Sequence, residues 1–263
     1  MIVFCVSWGA AVREADSVAD VVAKAGNDAL FAWAAGAGLE RFAWVSDQAI
    51  GVLGTDLSRR DRLMVSGHPQ AVAELADRAW AVHHPAVRLT GDSALITAVA
   101  QVRPSLVVSE EFGWMQTTTH TLRPPARQLP VAVEWLPTAA DVEVARLLAA
   151  SFPDSEARPG ARGVRRWAGV REAGHLIACA CEAWSAPSLG FMAGVTVAKH
   201  ARGRGVARTL CAAVLGQLCA EHGRAALMAD EWNTTAVRLY QELGLTWRPI
   251  RSARHPDAPT ITG

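Results

Sequence analysis

The sequence predicts an α+β protein: a mixed sheet flanked by helices in the C-terminal half, preceded by a smaller α+β domain. Three observations predict it. Residues 131–253 read in order as strand, helix, strand, strand, strand, helix, strand, helix, strand. Residues 190–218 run from a buried strand through a basic, glycine-spaced turn into a helix. Arg123-Pro124-Pro125-Ala126-Arg127-Gln128-Leu129-Pro130 is a linker candidate, which divides the chain into 1–122, 123–130 and 131–263.

In the first part, the apolar opening MIVFCVSWGAAV has no basic residue before Arg13, as a secretory signal would need, and reads as a first strand. Asp16-Ser17 can cap a helix to about Gly36, with Val18, Val21, Val22, Ala25, Leu30 and Phe31 apolar. Short strands are expected at Phe42–Val45, Ile50–Leu53 and Leu63–Ser66. Gly67-His68-Pro69 then opens a helix carrying Val72, Leu75, Ala76 and Trp80. Val87–Leu89 reads as a strand, Asp92-Ser93 caps a helix to about Val102, and Ser105–Thr119 is extended. The spacing of elements from Leu63 to Thr119 is close to that from Gly190 to Arg251.

In the second part, Val131–Trp135 is a strand, Ala139–Phe152 a helix and Pro153–Gly163 a loop. Val164–Glu172 and His175–Trp184 form a hairpin around Ala173-Gly174. Phe191, Met192, Val195, Thr196 and Val197 make an apolar, β-branched strand covered on both faces. After it stands Ala198-Lys199-His200-Ala201-Arg202-Gly203-Arg204-Gly205, then Val206, Ala207, Leu210, Cys211, Val214, Leu215 and Leu218 at helical spacing. The first N–H groups of a helix lack intrahelical partners and the helix dipole is positive there, so an anion is favoured, and glycine lets the main chain approach it. Arg202, Arg204 and Arg208 add charge of the same sign. The junction reads as a diphosphate cradle.

Arg202-Gly203-Arg204-Gly205-Val206-Ala207 resembles the Arg/Gln-x-x-Gly-x-Gly/Ala signature of the GNAT acyltransferases. Downstream, after the strand Ala225–Ala229, Asn233-x-x-Ala236-x-x-Leu239-Tyr240-x-x-Leu243-Gly244-Leu245 is similar to the family's Asn-x-x-Ala-x-x-x-Tyr-x-x-x-Gly-Phe ending, with Leu245 in place of Phe. The resemblance covers roughly residues 131–253. It implies a GNAT-like mixed sheet and an N-acetyltransferase that uses acetyl-coenzyme A as cosubstrate. It also implies coenzyme contacts at Val195, Thr196, Val197, Arg202, Gly203, Arg204, Gly205, Val206, Ala207, Arg208 and Asn233, with the Val197 N–H as oxyanion donor. Tyr240, the only tyrosine, becomes the acid that protonates the departing thiolate. The base stays open among Glu182, Asp230, Glu231 and water, and so does the acceptor amine. In the first part Gly67-His68-Pro69 replaces the cradle and no Asn/Tyr pair follows, so residues 1–122 read as a degenerate GNAT-like domain without a coenzyme site or as an unrelated α+β domain.

Other readings are bounded by composition. A net charge of +1 without a basic block argues against nucleic acid or an anionic membrane as partner. Lys24 and Lys199 are the only lysines among 26 basic residues, so arginine enrichment is a weak signal in itself. Cys5, Cys179, Cys181, Cys211 and Cys219 lack CxxC spacing and read as core thiols of a cytoplasmic protein, and the histidines lack a third ligand, so no metal is expected. The ten tryptophans are scattered, as filler of core and surface. A dinucleotide fold would share Gly203-x-Gly205, but five residues separate the strand from the first glycine and Arg208 stands where a third small residue belongs. A coenzyme-A-binding module without catalysis is the alternative from another class. Asn233 could be only a helix cap and Tyr240 only a core aromatic.

Overall fold

The structure, a computed structural model, describes residues 12–124 and 131–258. The expected first strand, Cys5 and residues 125–130 of the linker lie outside the described residues. The first half runs β1 (Arg13–Glu14), α1 (Val18–Lys24), α2 (Ala29–Ala37), β2 (Arg41–Val45), β3 (Ala49–Leu57), β4 (Arg60–Gly67), α3 (Pro69–Val82), β5 (Arg88–Asp92), α4 (Ser93–Val102), β6 (Val107–Val108) and β7 (Phe112–Thr118). The second half runs β8 (Val133–Trp135), α5 (Asp141–Ser151), β9 (Val164–Glu172), β10 (His175–Ala183), β11 (Gly190–Val197), α6 (Val206–His222), β12 (Arg224–Asp230), α7 (Thr234–Glu242) and β13 (Thr246–Arg254).

The single helix expected from Asp16-Ser17 to Gly36 is two helices. Gly26 and Asn27 both take left-handed backbone angles, φ +68° and +55°, which end α1. Each helix then has its own cap: Ser17 accepts from the Asp20 N–H, and the Asp28 carboxylate accepts from the Leu30 N–H at 2.8 Å. The extended stretch 105–119 is likewise two strands with a break at 109–111.

All strands of the described residues join one 13-stranded sheet, ordered β1-β2-β3-β4-β5-β13-β7-β12-β11-β10-β9-β8, with β6 on β13. The order shows a reciprocal exchange. β7, the last strand of the first half, pairs antiparallel with β12 from Arg224↔Thr118 to Asp230↔Phe112. β13, the last strand of the second half, pairs with β5 from Ile250↔Asp92 to Ala253↔Leu89. The exchanged strands also pair with each other, and Gly113 is glycine because the Trp247 indole lies where its Cβ would stand.

One core spans both halves. Trp33 of α2 stacks on Phe191 of β11, with ring centroids 4.9 Å apart, and meets Trp114 of β7 at 5.5 Å. Its indole N–H donates to the Trp184 carbonyl at 2.8 Å, so a large apolar surface is buried without leaving the ring nitrogen unpaired. A second core, including Leu53, Leu63, Leu75, Leu89 and Ile96, lies in the first half and takes in Ala253 of β13.

The exchange makes the halves one folding unit. A chain of residues 123–263 would lack β7, leaving β12 with an unpaired edge and β13 without any of its strand partners. It is expected to be insoluble or to show no cooperative thermal transition by circular dichroism. A soluble fragment melting like the full chain would contradict this.

Candidate functional site

β11 and β12 are parallel neighbours only at Gly190↔Ala225 and Phe191↔Ala226. Beyond Phe191 they part, and a cleft of about 920 Å³ opens between them. Its floor is β11 from Met192 to Val197. Between Ala193 and Thr196 this strand carries one residue more than the facing segment Cys179–Cys181, a bulge in which Gly194 takes φ +62°. A Cβ on Gly194 would stand 2.7 Å from the Trp167 ring, so the bulge needs glycine twice over. Past it, the Ala198 N–H donates to the Ile177 carbonyl at 2.8 Å. By the two-residue alternation of a strand, the N–H of Val197 points the other way, into the cleft.

The cradle stands at the end of this strand. Gly203 and Gly205 have φ +74° and +84°, and Gly205 is the N-cap of α6 with no side-chain capping bond. The N–H groups of the first turn of α6 are therefore open to an anion, reinforced by the dipole of a 17-residue helix. The arginines do less than their number suggests. Arg202 donates to the Val197 carbonyl and the Ser151 carbonyl, both at 3.1 Å, and so braces the loop against the end of α5. Arg204 is turned away from the cleft and paired with Glu172, whose carboxyl it holds below the usual range. Arg208 borders the cleft but is paired with Glu242. What this junction leaves open is main chain.

α7 forms the opposite wall. Asn233 caps it, its side-chain oxygen accepting from the Ala236 N–H at 3.2 Å, and still borders the cleft. Tyr240, two turns on, is buried and lines the same cleft. Burial pushes its phenol well above the usual value, with the neighbouring Cys211 adding to the shift. No cation lowers it among the described residues. The phenol stays protonated.

Val195, Thr196, Val197, Arg202, Gly203, Gly205, Val206, Ala207, Arg208, Asn233 and Tyr240 thus come together around one cleft, and Arg204 does not. Among the candidate bases only Asp230, at the end of β12, borders it. Glu182 is fully buried elsewhere, its oxygens held by Arg165 at 2.6 Å, Arg166 at 2.7 Å and His222 at 3.2 Å. With Glu221 and His222 it would suit a metal ion in outline, but Arg166 also bonds Glu221, and two guanidiniums already neutralise the cluster. Three aromatic residues of the cleft were not singled out from the sequence: Phe112 of β7, Phe152 at the end of α5 and Trp232 before Asn233.

Among the described residues, the first half holds no matching slot. β4 and β5 pair through Met64↔Thr90, and a Cβ on Gly91 would still lie 3.0 Å from the Val65 carbonyl oxygen. α3 begins two residues after β4 ends, whereas eight residues separate β11 from α6. No loop is left to form a cradle.

The model of the acetyltransferase (GNAT) family matches residues 133–245. Among solved structures, the chain is similar to a GCN5-related N-acetyltransferase from Kribbella flavida, at 14% identity and TM-score 0.59 over 94% of this chain and 97% of that one. It is also similar to a GCN5-related N-acetyltransferase from Sphaerobacter thermophilus, at 15% identity and TM-score 0.59 over 92% and 94%. At such identities the likeness shows a shared fold along nearly the whole chain. Nothing among curated proteins matches it.

Gly205→Val tests the cradle. A β-branched residue in left-handed backbone costs roughly 1–2 kcal/mol and shifts the first turn of α6, so coenzyme A should bind at least about tenfold more weakly. Equilibrium binding measures it, and unchanged affinity would mean that the anion lies elsewhere.

Proposed function

We propose, from the premise that residues 133–245 belong to the acetyltransferase (GNAT) family, that the chain is an N-acyltransferase carrying an acetyl group from acetyl-coenzyme A to an amine. The observation that carries this reading is the convergence, on one cleft, of a side-chain-free helix N-terminus, an unpaired strand edge with a bulge, and a protonated tyrosine. The residues present fit the coenzyme. The cradle of Gly203, Gly205 and the first turn of α6 suits a diphosphate, and the edge of β11 offers main-chain groups to an amide-bearing arm. The coenzyme supplies an acyl thioester already activated toward attack.

The chain's own groups supply orientation, a hydrogen-bond donor and a proton. Held on the β11 edge, the carbonyl faces an incoming amine in fixed geometry. The Val197 N–H donates to the oxygen that gains charge as the nitrogen–carbon bond forms. When the carbon–sulfur bond breaks, Tyr240 donates its proton to the sulfur, and the excess proton of the nitrogen leaves to water or through Asp230. Model thiols titrate near ~8.5 and phenols near ~10, so this transfer is uphill by roughly 2 kcal/mol in water. Burial raises the phenol further, but the same apolar surroundings raise the basicity of the thiolate. The two shifts oppose each other and the transfer stays accessible.

The first half belongs to this function through β7, which places Phe112 opposite Asp230 at the cleft. Tyr240 favours an enzyme over a module that only binds coenzyme, since its phenol serves no structural hydrogen bond among the described residues.

Tyr240→Phe keeps the ring and removes the proton. Turnover, followed by release of free thiol, should fall by about 10²–10⁴-fold while coenzyme affinity changes by less than about twofold. Near-normal turnover would make the phenol structural, with water protonating the sulfur.

A further inference from the structure

The acceptor must enter the same cleft, and the walls it would meet are aromatic. Phe152 is 42% exposed, Trp232 is 77% exposed and Phe112 is half-buried beside Asp230. Large apolar groups left open around one hollow mark a place where an apolar partner sits.

The Phe152 wall is held in shape from both sides. Arg202 fixes the end of α5 at the Ser151 carbonyl, at 3.1 Å. The loop that follows is anchored by buried Ser155, whose hydroxyl donates to the Ala157 carbonyl at 2.9 Å, and by Ala157 against the Gly194 bulge. Farther along, Glu156 meets Arg60 at 3.2 Å and Arg59 at 3.7 Å, and Arg162 meets Asp56 at 3.7 Å. Those partners stand on the β3–β4 turn of the first half, where Ser58 and Arg59 both take left-handed angles, φ +50° and +59°. Non-glycine residues adopt such a turn at a cost, and here it aims two arginines at Glu156. The aromatic wall is therefore pre-formed.

Charge decides what kind of amine fits. Asp230 is the only carboxylate that borders the cleft among the described residues. Of the neighbouring acids, Glu172 is engaged by Arg204, Glu242 by Arg208, Glu156 by Arg59 and Arg60, and Glu182 by Arg165 and Arg166, while Glu231 and Asp154 are exposed outside the lining of the cleft. A polycation would bring several charges into a cleft whose described lining holds one carboxylate and apolar walls, and desolvating the others there would be unfavourable.

Resting on the transferase reading above, we propose that the acceptor is a single amine borne on an aromatic or alkyl body, seated between Phe152 and Phe112, with Asp230 as its counter-charge. The ammonium first gives one proton to water; the neutral nitrogen then attacks the acetyl carbon, the carbon–sulfur bond breaks as the sulfur takes the Tyr240 proton, and a second nitrogen proton leaves through water to restore the phenol, so that the products are the amide and free coenzyme thiol.

The experiment compares 2-phenylethylamine with spermidine and kanamycin, using the full chain, acetyl-coenzyme A and detection of free thiol. 2-Phenylethylamine is expected to show a kcat/KM at least about tenfold higher than either polycation. Phe152→Ser should raise its KM at least about fivefold, Phe152→Leu should restore most of it, and both should leave coenzyme A affinity within about twofold. A preference for spermidine or kanamycin, thiol release from no amine above hydrolysis, or an equal loss of coenzyme A affinity in Phe152→Ser would each overturn the proposed acceptor class. Calorimetry with coenzyme A separates the levels: without coenzyme binding the transferase reading itself fails, whereas with it only the acceptor class does.

Discussion

The pairing of β12 with β7 is the constraint on which the rest of the molecule depends. β12 is parallel to β11 for only two residue pairs, so its other edge must hold it in place, and β7 does so from Arg224 to Asp230. With that edge secured, β11 can leave β12 after Phe191 without either strand losing its sheet. The cleft is thus a gap in a sheet whose far side is stitched shut by a strand from the other half. Trp33, which also comes from the other half, stacks on Phe191 at the point where the strands part.

Electrostatics then divides the work between main chain and side chains. The junction after β11 is rich in arginine, yet Arg202 braces carbonyl groups and Arg204 and Arg208 are paired with glutamates. What is left open is a row of backbone N–H groups and a helix dipole, which present positive potential without a long side chain that must be ordered. Glu182, buried with two guanidiniums and His222, shows the same habit of satisfying acids with planar donors.

Much of this was legible in the sequence because it is local. The strand-to-helix junction, the two glycines of the cradle, the Asn233 cap and the spacing that brings Tyr240 to the same wall follow from periodicity and from the needs of a helix N-terminus. The repeated order of elements in the first half was also visible as spacing. What could not be read is long-range. Nothing in Phe112–Thr118 or Thr246–Arg254 tells which edge each strand takes, so the exchange was invisible, and with it the place of Phe112 in the cleft. The partners of Arg204, Arg208 and Glu182 lie 32, 34 and at least 16 residues away, so guanidiniums counted as cradle charge are engaged elsewhere. The break between α1 and α2 is a different kind of miss: Gly26-Asn27-Asp28 is a local stop-and-cap signal that the apolar periodicity on either side outweighed.

The number of coenzymes held by one chain tests most directly the claim that this sheet opens once. The first half repeats the order of elements but keeps β4 and β5 together and leaves no loop before α3. Titration calorimetry of the full chain with acetyl-coenzyme A should give one site per chain. Two sites, or none, would contradict a single cleft between β11 and β12 as the seat of the chemistry.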